Sequence, residues 1–176
     1  MKEAAPAKGK FSRVWVIALA VLAVLFLDQL SKYLVRANIP LGQTFPHDWP
    51  IRFTNVYNTG AAFGIFPNGS FVLIIVSFVA IGVMLFFYRT HALPGTLTRV
   101  TLGMQLGGAI GNLSDRIRFG QVTDFIDFRV WPVFNVADSA VVIGIAILVW
   151  MILNNDAKSA KKLEKKPTDS STQPTP

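Results

Sequence analysis

The 176-residue chain has no cysteine. That excludes disulfides, thiol catalysis and cysteine-ligated metal. It leaves the compartment open, because a bilayer-embedded protein needs no disulfide to hold its shape. Histidine is nearly absent too, with only His47 and His91. Charge is thin: 15% of residues are charged and 52% hydrophobic. An ordinary soluble domain carries about 25% charged residues, so the chain is too apolar for that class. Acid is the scarcer sign, and the net charge is +7. A basic balance can signal nucleic acid. Here the basic residues sit at the chain ends beside apolar runs, without aromatic interleaving. We read them as topology signals, with no nucleic-acid partner.

What the chain has instead is long apolar runs. Residues 1–12 are polar and expected to be a disordered N-terminus. Val14–Leu27 is unbroken apolar sequence, and the helix is expected to run on through Val35. At about 1.5 Å per residue this crosses a bilayer core of about 30 Å. A basic stretch before an apolar run also fits a signal peptide. However, Asp28-Gln29-Leu30-Ser31-Lys32 follows with no small-residue cleavage site, so an uncleaved first span is expected, at about 14–35. Pro40 and Gly42 end it.

Ile51–Tyr57 partly alternates and is rich in strand formers, Asn58-Thr59-Gly60 reads as a turn, and Phe63–Gly69 as a return strand. This predicts a small β element, about 43–68, at the membrane surface, since an open sheet edge is not viable in hydrocarbon. A second span is expected at about 70–88. A short loop holding Arg89, His91, Pro94-Gly95 and Arg99 follows. The third span, about 97–113, is less apolar. Gly103, Gly107 and Gly111 line one face of it, the spacing that lets helices approach closely. Gln105 and Asn112 on it need partners. Residues 114–134 read as a polar connection, 135–153 as a fourth span, and 154–176 as a disordered basic tail. The whole of 13–153 is expected to form one domain.

Four spans place both termini on one side. The ends and the 89–99 loop hold eleven Lys and Arg, and the opposite segments five. The positive-inside rule makes the termini cytoplasmic. No internal repeat suggests an inverted-repeat transporter.

Chemistry-bearing groups gather on the outer side. Asp28 and Lys32 stand at i and i+4, where they can form a helix ion pair. That pair is either structural or an anchor at the rim of a site. Asn58 opens a polar turn and could lend an amide to a substrate backbone. Asn112 and Arg116 lie one helical turn apart, and Arg116 can bind a carbonyl or a phosphate. Asp115 points elsewhere and reads as structural.

Asp124 is expected in a loop. Asp138 falls in the first turn of span four if Asn135 is the N-cap, where the helix dipole favours its ionised form. Asp124 is then the better candidate for the protonated member of a shared-proton pair. Asp127 would face away from Asp124 in an extended segment and is excluded from the pair. Carboxylates beside a bilayer are costly and suggest function. From spacing alone, two unrelated interfacial aspartates, each capping a helix or pairing an arginine, account for the pattern equally well. Carboxylates with Asn oxygens would also suit a hard cation. The two histidines fall on opposite sides of the membrane, against a zinc protease site.

The ordered segments resemble bacterial lipoprotein signal peptidase (signal peptidase II), a membrane aspartic protease. They are Asp28-Gln29-Leu30-Ser31-Lys32, Asn58-Thr59-Gly60-Ala61-Ala62-Phe63, Gly107-Gly108-Ala109-Ile110-Gly111-Asn112-Leu113-Ser114-Asp115-Arg116, Val122-Thr123-Asp124-Phe125 and Phe134-Asn135-Val136-Ala137-Asp138-Ser139. The resemblance covers roughly residues 14–153, and neither tail shares it. The connection between the two aspartates is on the short side.

The resemblance implies an α-helical integral membrane protein with four transmembrane helices and a small extracytoplasmic β element. It implies that Asp124 and Asp138 are catalytic, that Asn58, Gly108, Asn112, Arg116 and Asn135 line the substrate site, and that Asp28, Lys32 and Asp115 support it. The implied partners are a lipid-modified prolipoprotein and membrane lipids, with no cofactor or metal. The implied form is a monomer in the bacterial inner membrane. The cut would fall just before a diacylglyceryl-modified cysteine. Rival readings are a small four-helix transporter with an aspartate proton relay, and a non-enzymatic assembly factor. The clustering of acids at one face favours the protease.

Overall fold

The structure is a computed structural model, and it describes residues 8–60, 69–90 and 95–164. The elements are α1 (Lys8–Asn38), β1 (Thr44–Phe45), β2 (Arg52–Asn58), α2 (Ser70–Thr90), α3 (Thr96–Phe119), β3 (Val122–Asp127) and α4 (Val136–Glu164). Among the described residues, three helices are long and apolar enough to cross a membrane: α1 over Val14–Asn38, α2, and α4 over Val136–Asn154. Their outward faces are large and apolar, with Leu22, Phe26, Phe78, Phe86, Val142 and Trp150 all exposed.

α3 is the less apolar helix and sits centrally, packed against α1, α2 and α4. Its glycine stripe makes that possible. A Cβ on Gly103 would lie 2.5 Å from Ala20 Cβ and 2.8 Å from Ile17 O; one on Gly107 would lie 2.9 Å from Val24 Cβ. On the α4 side, a Cβ on Gly108 would strike the carbonyl oxygen of Ala137. Gln105 lies against Gly144 of α4.

Overpacking of this kind costs about 1–3 kcal/mol. Gly103→Val is therefore expected to lower the melting temperature in detergent. Gly82→Val, which meets nothing within 4 Å, serves as the control. Equal melting of the two variants would show that the stripe does not set the α1–α3 distance.

Several expected boundaries change. α1 begins at Lys8, inside the segment expected to be disordered, and α4 runs to Glu164, well into the expected tail. Helices need not stop where the apolar run stops. Lys, Ala, Leu and Glu beyond Asn155 are good helix formers in their own right. α3 likewise continues to Phe119 and ends at Gly120, whose φ of 71° provides a left-handed cap with its N–H on Arg116 O at 3.0 Å. Most of the expected return strand after Asn58 lies outside the described residues.

The largest change is in residues 114–134, read as a connection. They contain β3, which pairs antiparallel with β2 to complete a sheet in the order β1-β2-β3. Asp124 is therefore on a strand and not in a loop. Val122-Thr123-Asp124-Phe125-Ile126-Asp127 is buried at every position except the half-buried Ile126. A strand covered on both faces shows no polar alternation to reveal it. The sheet packs on α1 and α3.

Candidate active site

The site forms where the C-terminal halves of α1 and α3 meet the sheet and the start of α4. Asn135 is the N-cap of α4. Its Oδ1 accepts the Asp138 backbone N–H at 2.9 Å, and Asp138 Oδ2 accepts the Asn135 N–H at 3.3 Å. This is a reciprocal capping box with aspartate at its third position. With its oxygen committed to the helix, the Asn135 amide must turn its NH2 outward. That group donates to Asp124 Oδ1 at 2.6 Å and to Asn112 Oδ1 at 3.2 Å. One fully buried side chain thus joins both aspartates.

Each carboxylate oxygen of the pair receives a donor. Asp124 Oδ2 accepts from Asn58 Nδ2 at 2.9 Å, and Asp138 Oδ1 from Asn112 Nδ2 at 2.7 Å. The Asn58 amide is itself fixed, because its Oδ1 accepts the Gly60 N–H at 3.0 Å. The environments of the two acids differ. Asp124 is 3% exposed, while Asp138 is half-buried. Burial first, and then the negative charge of Asp138, push the Asp124 carboxyl up to about 6 against the opposing hydrogen bonds of Asn58 and Asn135.

Beneath the pair lies a buried charge cluster. Lys32, Asp28 and Asp115 are all 0% exposed. Lys32 Nζ is 2.8 Å from Asp28 Oδ2, 2.8 Å from Asp115 Oδ2 and 2.9 Å from Asn112 Oδ1. The Asp115 approach is a close ion pair whose angle falls outside hydrogen bonding. Asp28 Oδ1 accepts the Ala137 N–H at 3.0 Å, so α1 supplies part of the cap of α4.

Gln29 has no assigned role in the Asp28–Lys32 segment, yet its Nε2 donates to both Asp28 Oδ2 and Asp115 Oδ1 at 3.1 Å. Arg36 was passed over as well. It donates to Thr123 Oγ1 at 2.9 Å, beside Asp124. For Arg36 the only sequence signal is a polar residue near the end of a membrane-length helix, whereas Gln29 stands inside a segment that carries the resemblance.

The remaining expected residues fall as follows. Arg116 is half-buried beside the pair, with a long 3.4 Å contact to Asn112 O and a buried Nε that has no partner. Gly108 lies in the α3–α4 contact. Asp127 is bound by Arg52 and Thr54, with Nε at 3.1 Å and Oγ1 at 2.9 Å, apart from the pair. Asn112 and Asn135 commit their amides to the carboxylates and to each other, so they order the pair. Among the described residues, no group of three or more His, Asp or Glu is placed to hold a metal ion.

The sequence profile of signal peptidase (SPase) II matches residues 20–154. A lipoprotein signal peptidase of Moorella thermoacetica is 45% identical over 77% of this chain and 91% of its own. One of Halothermothrix orenii is 44% identical over 76% and 92%. A bacterial membrane enzyme solved by the in meso method at 2.3 Å superposes with a TM-score of 0.72 at 25% identity, over 91% of this chain and 94% of the other. A second, at 1.9 Å, gives 0.69 at 29% identity, over 78% and 92%. With this coverage, the chain belongs to the signal peptidase II family, the aspartic peptidases that remove signal peptides from prolipoproteins.

Proposed function

We propose that Asp124 and Asp138 are the catalytic pair, and that they cut a prolipoprotein immediately before a diacylglyceryl-modified cysteine. The observation that carries this is the bridging of the two carboxylates by Asn135, with Asp124 buried and Asp138 half-buried. The unequal settings suit unequal roles.

Asp138 takes a proton from a water held between the acids as the water oxygen bonds to the scissile carbonyl carbon. Asp124 gives its proton to the carbonyl oxygen. The resulting diol collapses: the C–N bond breaks, Asp138 protonates the leaving amine, and a diol hydroxyl returns its proton to Asp124. No covalent enzyme intermediate forms. Arg116, with donors to spare, holds a peptide carbonyl near the pair.

α3 serves as the fourth span, its polar side chains facing helices and not lipid. The site lies at the outer face of the bacterial inner membrane, with both termini cytoplasmic, as the basic residues at the chain ends favour. One chain supplies every group named, so a monomer suffices. The lipidated cysteine of the substrate would sit at the outer interface, level with the pair.

The test mixes full-length protein in detergent with a lipidated prolipoprotein and reads product masses. One cut before the cysteine is expected, with the same rate in a metal chelator. Unlipidated substrate should be cut at least tenfold more slowly, because each buried acyl CH2 is worth about 0.8 kcal/mol. Equal cutting of both substrates would overturn the lipid requirement. A cut elsewhere would overturn the assigned bond.

A further inference from the structure

Asn112 can be oriented without ambiguity. Its Oδ1 stands 2.9 Å from Lys32 Nζ and 3.2 Å from Asn135 Nδ2, and its Nδ2 stands 2.7 Å from Asp138 Oδ1. A lysine ammonium only donates. The group facing Lys32 must therefore be the amide oxygen, and the NH2 must face Asp138. A flipped Asn112 would set NH2 against NH3+ and an oxygen against a carboxylate. Asn135 supports the same orientation, because the Asp138 backbone N–H fixes the Asn135 amide in turn.

Lys32 cannot drift from this duty. It is fully buried and held from two sides by Asp28 and Asp115.

We propose that Lys32 is a positioning residue for the reaction: its hydrogen bond to the Asn112 oxygen locks that amide with its NH2 toward Asp138, which keeps Asp138 the proton acceptor of the pair. This rests on Asp124 and Asp138 being catalytic. Asp28 and Asp115 are then more than an ion-pair sink for Lys32. They set the position of the ammonium, and Gln29 pins both of them.

The charged groups facing the pair are Asp28 and Lys32 from α1 and Arg116 from α3, with Asp115 behind them against Lys32 and Arg116. β2 contributes the neutral Asn58, while its Arg52 is spent on Asp127. Lys32 reaches the pair both as a nearby positive charge and through its hydrogen bond to Asn112. Lys32→Gln removes the charge but keeps a donor to Asn112, so the two effects are separable. A donor lost from the base should disfavour the ionised form that accepts the proton.

The experiment compares full-length wild type with Lys32→Gln, Lys32→Met, Asp115→Asn and the double variant Lys32→Met/Asp115→Asn in detergent, on lipidated prolipoprotein. Rates are corrected for the folded fraction from thermal unfolding. Lys32→Met should lower kcat by about tenfold or more while KM stays within about twofold. It should also move the acid limb of the kcat/KM profile to higher pH. Lys32→Gln, whose NH2 can still donate to Asn112, should recover part of both. The double variant loses one buried charge of each sign and guards against a folding defect. Its acid limb should still lie above that of Asp115→Asn alone.

Coincident limbs for the double variant and Asp115→Asn would overturn the proposal. So would an acid limb unmoved in Lys32→Met, a Lys32→Gln limb coincident with that of Lys32→Met, or unfolding of both Met variants alongside a Gln variant identical to wild type. If wild type itself fails to cut, the proteolytic reading falls and takes this one with it. If wild type cuts, Asp138→Asn does not, and the Lys32 limbs stay fixed, only the positioning role falls.

Discussion

Asp138→Asn and Asp124→Asn should each reduce cleavage of a lipidated prolipoprotein by roughly 10³- to 10⁴-fold, the upper range for loss of a general acid or base. An asparagine cannot take a proton from water at Asp138, nor donate one to the carbonyl from Asp124 and regain it. Both variants should remain folded. The capping box at Asn135 survives Asp138→Asn, because an amide oxygen can still accept the Asn135 N–H. Near-normal turnover in either variant would remove that residue from the chemistry.

Asp124→Asn carries a second signature, in stability. The folded-state value of Asp124, about 6, lies above its ordinary 3.8. The folded state therefore holds the proton more tightly than the unfolded chain. The stability this contributes is fully present below pH 3.8 and is lost as the pH rises through about 6. The loss is on the order of 2–3 kcal/mol. An asparagine has no such dependence, so the variant's melting temperature relative to wild type should rise between pH 4 and pH 7.5. A difference that stays flat across that range would show that Asp124 is not held in an unfavourable ionised state. Thermal unfolding at the two pH values decides it, independently of any substrate.

Asp28→Ala is expected to have the largest effect on stability. Removing one partner from a buried ion cluster costs about 3–5 kcal/mol, because the remaining charges stay buried. Lys32 would keep Asp115 alone, and the Ala137 N–H would lose its acceptor. For a chain of this size that corresponds to a fall of roughly 10 °C in melting temperature. Asp28→Asn retains an oxygen for Ala137 and should fall less. Should Asp28→Ala melt like wild type, the cluster would be energetically idle and α4 would be capped by other means.

Much of the site was legible because its residue types are expensive where they stand. Asp28, Lys32, Asp124 and Asp138 are conspicuous beside apolar runs, and Asn135 three residues before Asp138 is a recognisable cap. The roles of the amides were less visible. The resemblance implies that Asn112 and Asn135 line the substrate site, but nothing in a linear sequence shows that their donors are spent on the carboxylates. β3 was missed for a different reason. Its pairing partner, β2, lies more than sixty residues earlier, and burial on both faces removes the alternation that betrays a surface strand. α3 showed the opposite pattern: its glycine spacing revealed close packing even though its hydropathy understated the helix.

The N-terminal helix completes the cap of the C-terminal one, through Asp28 on the Ala137 N–H. During synthesis α1 leaves the ribosome first and α4 last. Until α3 arrives, Asp28 and Lys32 can neutralise only each other, one turn apart on the same helix. α3 then brings Asp115 and Asn112 to the waiting lysine, and α4 finally offers its N–H to the waiting aspartate. Asp124 and Asp138 therefore come together only with the last helix. On the proposed assignment, a chain stalled part-way through membrane insertion would hold no competent catalytic pair.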